Sequence, residues 1–283
     1  MENKNKIAFL VDSTMVSTVE DMKVANIHMI SLYVMLDEKP YKDVTEITPA
    51  EFYTAKAKGA KGSTSQPNVG DFVAKYEELR DAGYETIIAF TLPTVLSGTY
   101  QSATMATEMV EGVDVRVIET KSLTAICVEI VKDIMQYAET VASVDEVESY
   151  ARESFSRTAA YFYVGSLDSL REGGRLSATQ ATIGSLLKLK PILWLTDSGH
   201  VEIRDKVRTE GKALKRLLEL TKERGELERV VLLGAANNEL FENFVKIFEA
   251  TFPEQEYKTS ELTPVVGTHI GGDTAAMFFQ YKK

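Results

Sequence analysis

Three short runs gather hydroxyls, a histidine and small residues: Thr64-Ser65-Gln66-Pro67, Leu96-Ser97-Gly98-Thr99-Tyr100 and Gly267-Thr268-His269-Ile270-Gly271-Gly272. Where a helix begins, unpaired backbone N–H groups and the positive end of the helix dipole favour a carboxylate or phosphate, and hydroxyls beside them add donors. The apolar run Thr86-Ile87-Ile88-Ala89-Phe90 reads as a buried strand and Thr99 to Glu111 as a helix, so Ser97 falls on the loop between them. Pro67 suits the first turn of a helix whose apolar face is Val69, Phe72, Val73, Tyr76 and Leu79. That placement puts Thr64 and Ser65 at or just before its N-terminus. The third run is expected at a helix start or a turn between strands. An anion pocket is one reading; plain N-capping by the same hydroxyls is the other, and local sequence leaves both open.

Covalent chemistry would need more. The chain has three histidines: His28 lies in an apolar strand and His200 follows a turn, which leaves His269 as the candidate base. An acyl hydrolase or acyltransferase using Ser97 as nucleophile and His269 as base is the alternative to a binding site, and it requires the two within hydrogen-bond reach plus an orienting group. Val95-Leu96-Ser97-Gly98-Thr99 does not match the G-x-S-x-G elbow. No phosphate-binding P-loop or dinucleotide fingerprint is present, and Gly173-Gly174 reads more simply as a helix stop. His269 with Asp273 or Asp12 falls short of a metal-ligand set, and Cys127 is the only cysteine, which removes Cys-based zinc sites and internal disulfides. No catalytic residue, metal or cofactor is assigned.

The elements that must position these runs alternate. Strand signals at Lys6 to Val11, Ile27 to Leu36, Thr86 to Thr91 and Val113 to Ile118 are each followed by helical patterns, at 18–25, 49–58, 99–111 and from Ser122. Such alternation predicts an α/β domain with a mostly parallel sheet, whose ligands bind beyond the carboxyl ends of the strands. Asp12-Ser13-Thr14 and Ser97 both follow strand ends. Thr48-Pro49-Ala50-Glu51 is a capping box with proline at the first helical position.

After a helix ending near Ser156 the rhythm changes. A strand at Ala160 to Val164, helices over 167–172 and 177–189, a hairpin joining Ile192–Leu195 to Val201–Ile203, a helix through Leu214, Leu217 and Leu218, a strand from Arg229, a helix near Glu239 to Phe252, and closing strands around Val265 and Met277 predict an α+β layer. The fold expected is α/β: a mostly parallel N-terminal domain over 1–156, an α+β domain over 157–283, and the ligand pocket between them. Candidates for apolar walls are Phe90, Ile126, Phe162 and Phe278, joined by Ile183, Leu186 and Leu187, although residues of these types are more often ordinary core.

In order and spacing the chain resembles the DegV family of bacterial fatty-acid-binding proteins nearly end to end. The resemblance rests on Val11-Asp12-Ser13-Thr14, the first two runs above, Gly173-Gly174-Arg175-Leu176-Ser177, Lys190-Pro191, Val207-Arg208-Thr209 and Thr268-His269-Ile270-Gly271. It implies a carrier that holds one long-chain fatty acid in a buried tunnel and presents the carboxylate to a separate ATP-dependent kinase, which makes the acyl-phosphate for phospholipid synthesis. By the same resemblance Thr64 and Ser97 bond the carboxylate with Ser65, Gly98 and Thr99 around them, His269 lies beside the head group, and Arg208 serves the encounter with the kinase. One departure stands out: the family commonly reads His-x-Gly-x-Gly, and here Asp273 takes the last glycine's place. An acidic side chain near a bound carboxylate repels it, so Asp273 must point away, pair with a cation, or mark a different ligand.

Composition agrees. A chain of 283 residues with 44% hydrophobic content can bury a sizeable core, and a net charge of −10 disfavours nucleic acid or an anionic membrane surface as main partner. No stretch approaches the roughly 20 apolar residues of a membrane span, so a cytoplasmic location is expected.

Overall fold

The computed structural model describes residues 6–16, 22–23, 26–177, 189–236 and 238–283. Strands β1 (Ile7–Asp12) and β2 (His28–Ile30) belong to a four-stranded parallel sheet with two later strands, in the order second, first, sixth, seventh. Between them in sequence lie β3 (Tyr33–Leu36), β4 (Lys39–Lys42), helix α1 (Pro49–Ala57), β5 (Gly62–Ser65) and helix α2 (Val69–Asp81). Then follow β6 (Thr86–Thr91), α3 (Thr99–Thr107), β7 (Asp114–Glu119), α4 (Ala125–Ala138) and α5 (Val144–Ser156). Every residue of β1 and β6 is buried, as expected of central parallel strands covered on both faces. Ala8, Leu10, Ile87 and Ala89 pack with α2 and α3, while Phe9, Ile88 and Phe90 face α4 and α5.

The stretch from Ile27 to Leu36, expected as one strand, is two strands in different sheets. β3 pairs antiparallel with both β4 and β5 in a separate three-stranded sheet. Its hairpin turns at Asp37 and Glu38, with φ of 46° and 68°, where neither Asn-Gly nor Asp-Gly advertises the turn. α1 starts with the expected capping box between Thr48 and Glu51.

The second sheet is six-stranded. β8 (Thr158–Val164) is followed by α6 (Asp168–Glu172), β9 (Lys190–Leu195), β10 (Val201–Val207), α7 (Glu210–Arg224), β11 (Leu227–Gly234), α8 (Glu239–Thr251), β12 (Lys258–Glu261), α9 (Pro264–Ile270) and β13 (Thr274–Tyr281). The strand order is β10-β9-β8-β13-β11-β12, antiparallel except for the β11–β12 pair. Alternation divides its side chains: Tyr161, Tyr163, Met277 and Phe279 pack with α7 and α8, while Phe162, Val164, Ala276 and Phe278 turn inward. That inward face shares one apolar core with Phe9, Phe90, Ile126 and Phe155 of the first half.

Val265, expected in a strand, lies in helix α9. Thr263 accepts from the Val266 N–H as N-cap and Pro264 takes the first turn, the same device as Thr48-Pro49. The helix expected over 177–189, most of the one over 18–25, and the wall candidates Ile183, Leu186 and Leu187 lie outside the described residues. Among the described residues no helix is long and apolar enough to cross a membrane.

Candidate functional site

A cavity of about 200 Å³ lies between the inward face of the six-stranded sheet, the β3–β5 sheet and the loop leading into α3. Phe162, Leu195, Ala276 and Phe278 from one side and Leu32 and Leu92 from the other give it apolar walls. Phe90 and Ile126 belong to the packed core behind it. Thr64, Ser65, Gln66, Ser97, Arg175 and His269 contribute its polar groups, and Arg175 is the one charged side chain among the described residues that line it.

The hydroxyls are not helix caps. α2 begins at Val69, and Asn68 caps it through a reciprocal box with Asp71. Thr64 and Ser65 therefore belong to the end of β5, a correction to their expected place at a helix N-terminus; asparagine beside an acidic third residue simply competes better for that role. Gly98 is the N-cap of α3 and provides no side-chain bond. Ser97 Oγ instead lies 2.9 Å from Oγ1 of Thr99, which is fully buried behind the cavity wall. Gln66 ties the two runs together, its Oε1 accepting from the Gly98 N–H at 3.1 Å. A Cβ on Gly98 would stand 2.5 Å from Gln66 Nε2, so a side chain there would push the Gln66 amide away and break this bond.

His269 sits in the last turn of α9, with its Nε2 2.8 Å from Thr64 Oγ1. Burial, reinforced by the nearby Arg175 charge, pushes its pKa down to about 4, so the ring is neutral at pH 7. Nδ1 is buried with no hydrogen-bond partner among the described residues, pressed so close to Gly173 that a Cβ there would lie 2.5 Å away. A hydrogen on Nδ1 would be a stranded donor, which favours the tautomer with hydrogen on Nε2. His269 then donates to Thr64, and the Thr64 hydrogen is free for an acceptor in the cavity.

Arg175 was not among the expected site residues. Its Nε donates to the Leu96 carbonyl at 3.0 Å and Nη1 donates to the Gly173 carbonyl. One guanidinium thereby links the Ser97 loop to the turn against His269. The signal was present in Gly173-Gly174-Arg175, where Gly174 has a φ of 69°. Thr14, on the short 3₁₀ turn after β1, also reaches the cavity.

Ser97 and His269 do not form a nucleophile–base pair: each hydroxyl-facing bond goes elsewhere, Ser97 to Thr99 and His269 to Thr64. Asp273 is exposed, and its carboxylate lies over Gly165, where Oδ2 would fall 2.0 Å from a Cβ. Of the three alternatives for this residue, it points away from the cavity. Arg208 is exposed between β10 and the Thr209 cap of α7, outside the cavity lining and without an ion pair among the described residues.

The depressed pKa of His269 has a signed consequence for stability. Below its ordinary value near 6.5 the unfolded chain takes up a proton that the folded protein refuses down to about 4. His269 stabilises fully above 6.5 and progressively less as pH falls through that window. Thermal melts across pH 4 to 7 should show a shallower loss of stability for His269→Gln than for the natural chain. Identical slopes would place the ring in solvent.

A family model described as "Uncharacterised protein, DegV family" matches residues 6–282. The chain is 34% identical over 281 residues to Protein DegV of Bacillus subtilis, covering 98% of this chain and 99% of that one. It is 33% identical over 285 residues to a DegV domain-containing protein of Listeria innocua, with the same coverage of 98% and 99%. Among solved structures, it aligns with DegV of Bacillus subtilis, a fatty acid binding protein, at a TM-score of 0.87 and 32% identity over 98% of this chain and 99% of that chain. A DegV family protein from Thermus thermophilus, described by its fatty acid binding, aligns at 0.86 and 28% identity, again over 98% and 99%. With matches that run through both sheets and every segment of the cavity wall described above, the chain belongs to the DegV family.

Proposed function

We propose that this protein holds one long-chain fatty acid in the cavity between its sheets, with the carboxylate at Thr64, Ser97 and His269, and presents it in the cytoplasm to a separate ATP-dependent kinase that makes the acyl-phosphate used in phospholipid synthesis. The observation that carries the binding reading is the cavity itself: apolar walls meeting a corner of hydroxyls that cap no helix, a neutral imidazole and one arginine. Apolar walls reward methylenes, and the corner supplies donors to a carboxylate with no acidic side chain among the described residues that line it. Fatty acid binding by the Bacillus subtilis and Thermus thermophilus relatives supports the same ligand class. The kinase step rests on the family resemblance of the motifs and on Arg208, which is exposed and has no ion pair among the described residues, as a contact for an acidic partner requires.

Native mass spectrometry of the purified chain, followed by solvent extraction, tests the first part. One fatty acid per chain is expected; a protein that is empty and stays empty after addition of palmitate would shift the site to another anion. Loaded protein mixed with a fatty acid kinase subunit and ATP then tests the second. Arg208→Ala should keep its full load while acyl-phosphate formation slows about tenfold, the size of an exposed interfacial charge contribution. Loss of the lipid in that variant would refute the docking role.

A further inference from the structure

Behind the polar corner lie two carboxylates, Asp12 and Asp43, both fully buried. Neither forms a salt bridge among the described residues, and the titratable groups facing them are each other, Cys127 beside Asp12 and Tyr53 beside Asp43. Burial of a carboxylate without a counter-charge is costly even when it is hydrogen-bonded. Burial pushes Asp12 up to about 6 and Asp43 up to about 7, against the donors that hold them. The backbone beside Asp43 is strained as well: Val44, the next residue, has a φ of 67°, a region a β-branched side chain rarely occupies.

The contacts of these two groups lead to each part of the head-group corner. Asp12 Oδ2 accepts from the Leu92 N–H at 2.6 Å, fixing the start of the loop that carries Ser97, and Oδ1 accepts from the Thr14 N–H at 2.9 Å. Asp43 Oδ1 accepts from the Val265 N–H at 3.2 Å, one turn before His269 on α9. Asp43 Oδ2 accepts from Ser13 Oγ–H at 2.8 Å, and the same Ser13 oxygen accepts from the Leu32 N–H at 3.1 Å. Leu32 leads directly into β3, whose Val34 and Tyr33 pair with Thr64 and Ser65. The three side chains of the corner thus arrive on three separate segments, and all three segments are pinned to one buried cluster.

We propose that Asp12, and Asp43 bonded to the adjacent Ser13, are positioning residues that set the preference of this site for a carboxylate head group, by holding the Ser97 loop, β3 and the His269 helix in register. They touch no ligand; their effect passes through Thr64, Ser97 and His269. The inference rests on the fatty acid reading above and deepens it.

The test compares retention of palmitate with that of hexadecan-1-ol, which has the same chain length and no carboxylate, in native mass spectrometry after dilution. General destabilisation weakens both ligands alike, whereas loss of register at the corner weakens only the acid. The natural chain should retain the acid at least tenfold better than the alcohol. Asp43→Ala should lower that ratio at least fivefold with alcohol retention unchanged, and Asp43→Asn should restore most of it, since the amide oxygen still accepts from Val265 and the amide nitrogen can donate to Ser13. An unchanged ratio in Asp43→Ala, or an equal fall for both ligands, overturns the proposal. If that variant does not fold, Ser13→Ala, which severs Asp43 from Leu32 but keeps the Val265 bond, decides by the same ratio. Failure of the fatty acid reading shows separately, as a natural chain that retains neither ligand.

Discussion

Ser97→Ala combined with Thr64→Val is expected to cut acyl-phosphate formation from the bound fatty acid roughly 100-fold or more while leaving the fold intact. A hydrogen bond to a charged group contributes about 1.5–3 kcal/mol, and about 1.4 kcal/mol is a factor of ten. Two such bonds to one carboxylate share a network, so their losses overlap rather than add in full. Stability should change little, because neither hydroxyl caps a helix: Asn68 holds α2, and Gly98 begins α3 without a side-chain bond. Valine also keeps the shape of threonine at the end of β5. The main structural loss is the acceptor for His269 Nε2, which Thr64 Oγ1 provides at 2.8 Å. Acyl-phosphate yield with a kinase subunit and ATP, measured beside the lipid load, checks the result. A double variant with undiminished yield removes both residues from the site.

Ala276→Phe is expected to empty the protein. Ala276 lies on the inward face of β13, directly opposite Phe162 of β8, and both side chains form cavity wall. A phenyl ring added there occupies the space meant for methylenes. Each buried CH₂ is worth about 0.8 kcal/mol, so a chain of about 15 methylenes draws on the order of 12 kcal/mol from those walls before ordering costs. The head-group bonds cannot replace that. The expected load falls below a tenth of a fatty acid per chain. Extra methylenes in a tightly packed core cost about 1–3 kcal/mol; here the ring enters a void, so the melting temperature of the variant should stay near that of the delipidated natural chain. A variant that still carries a full load would show that the acyl chain lies elsewhere.

Much of the scaffold was legible from local pattern. Buried apolar runs such as Thr86–Thr91 carry their own identity, and Thr48-Pro49-Ala50-Glu51 encodes a helix start within four residues. Thr263-Pro264 carries half of the same code, yet the β-branched pair Val265-Val266 argued for a strand and was misleading; the N-cap bond and docking against β3 and β5 decided for helix. β5 was invisible because Gly62-Ser63-Thr64-Ser65 has no apolar alternation, and only pairing with β3 makes it a strand.

The site divides the same way. Residue types and order alone singled out the three runs and suggested an anion, and the resemblance to the DegV family picked Thr64, Ser97 and His269 from within them. Three properties required the fold: that Asn68 rather than the hydroxyls caps α2, that Arg175 joins the corner by reaching Leu96, and that His269 is neutral and bonded to a threonine 205 residues away. Helix caps and apolar periods are contacts between neighbours in sequence, so local sequence determines them. Burial, and with it the charge state of a histidine or an aspartate, is a sum over everything that surrounds the group, and only the packed chain sets that sum.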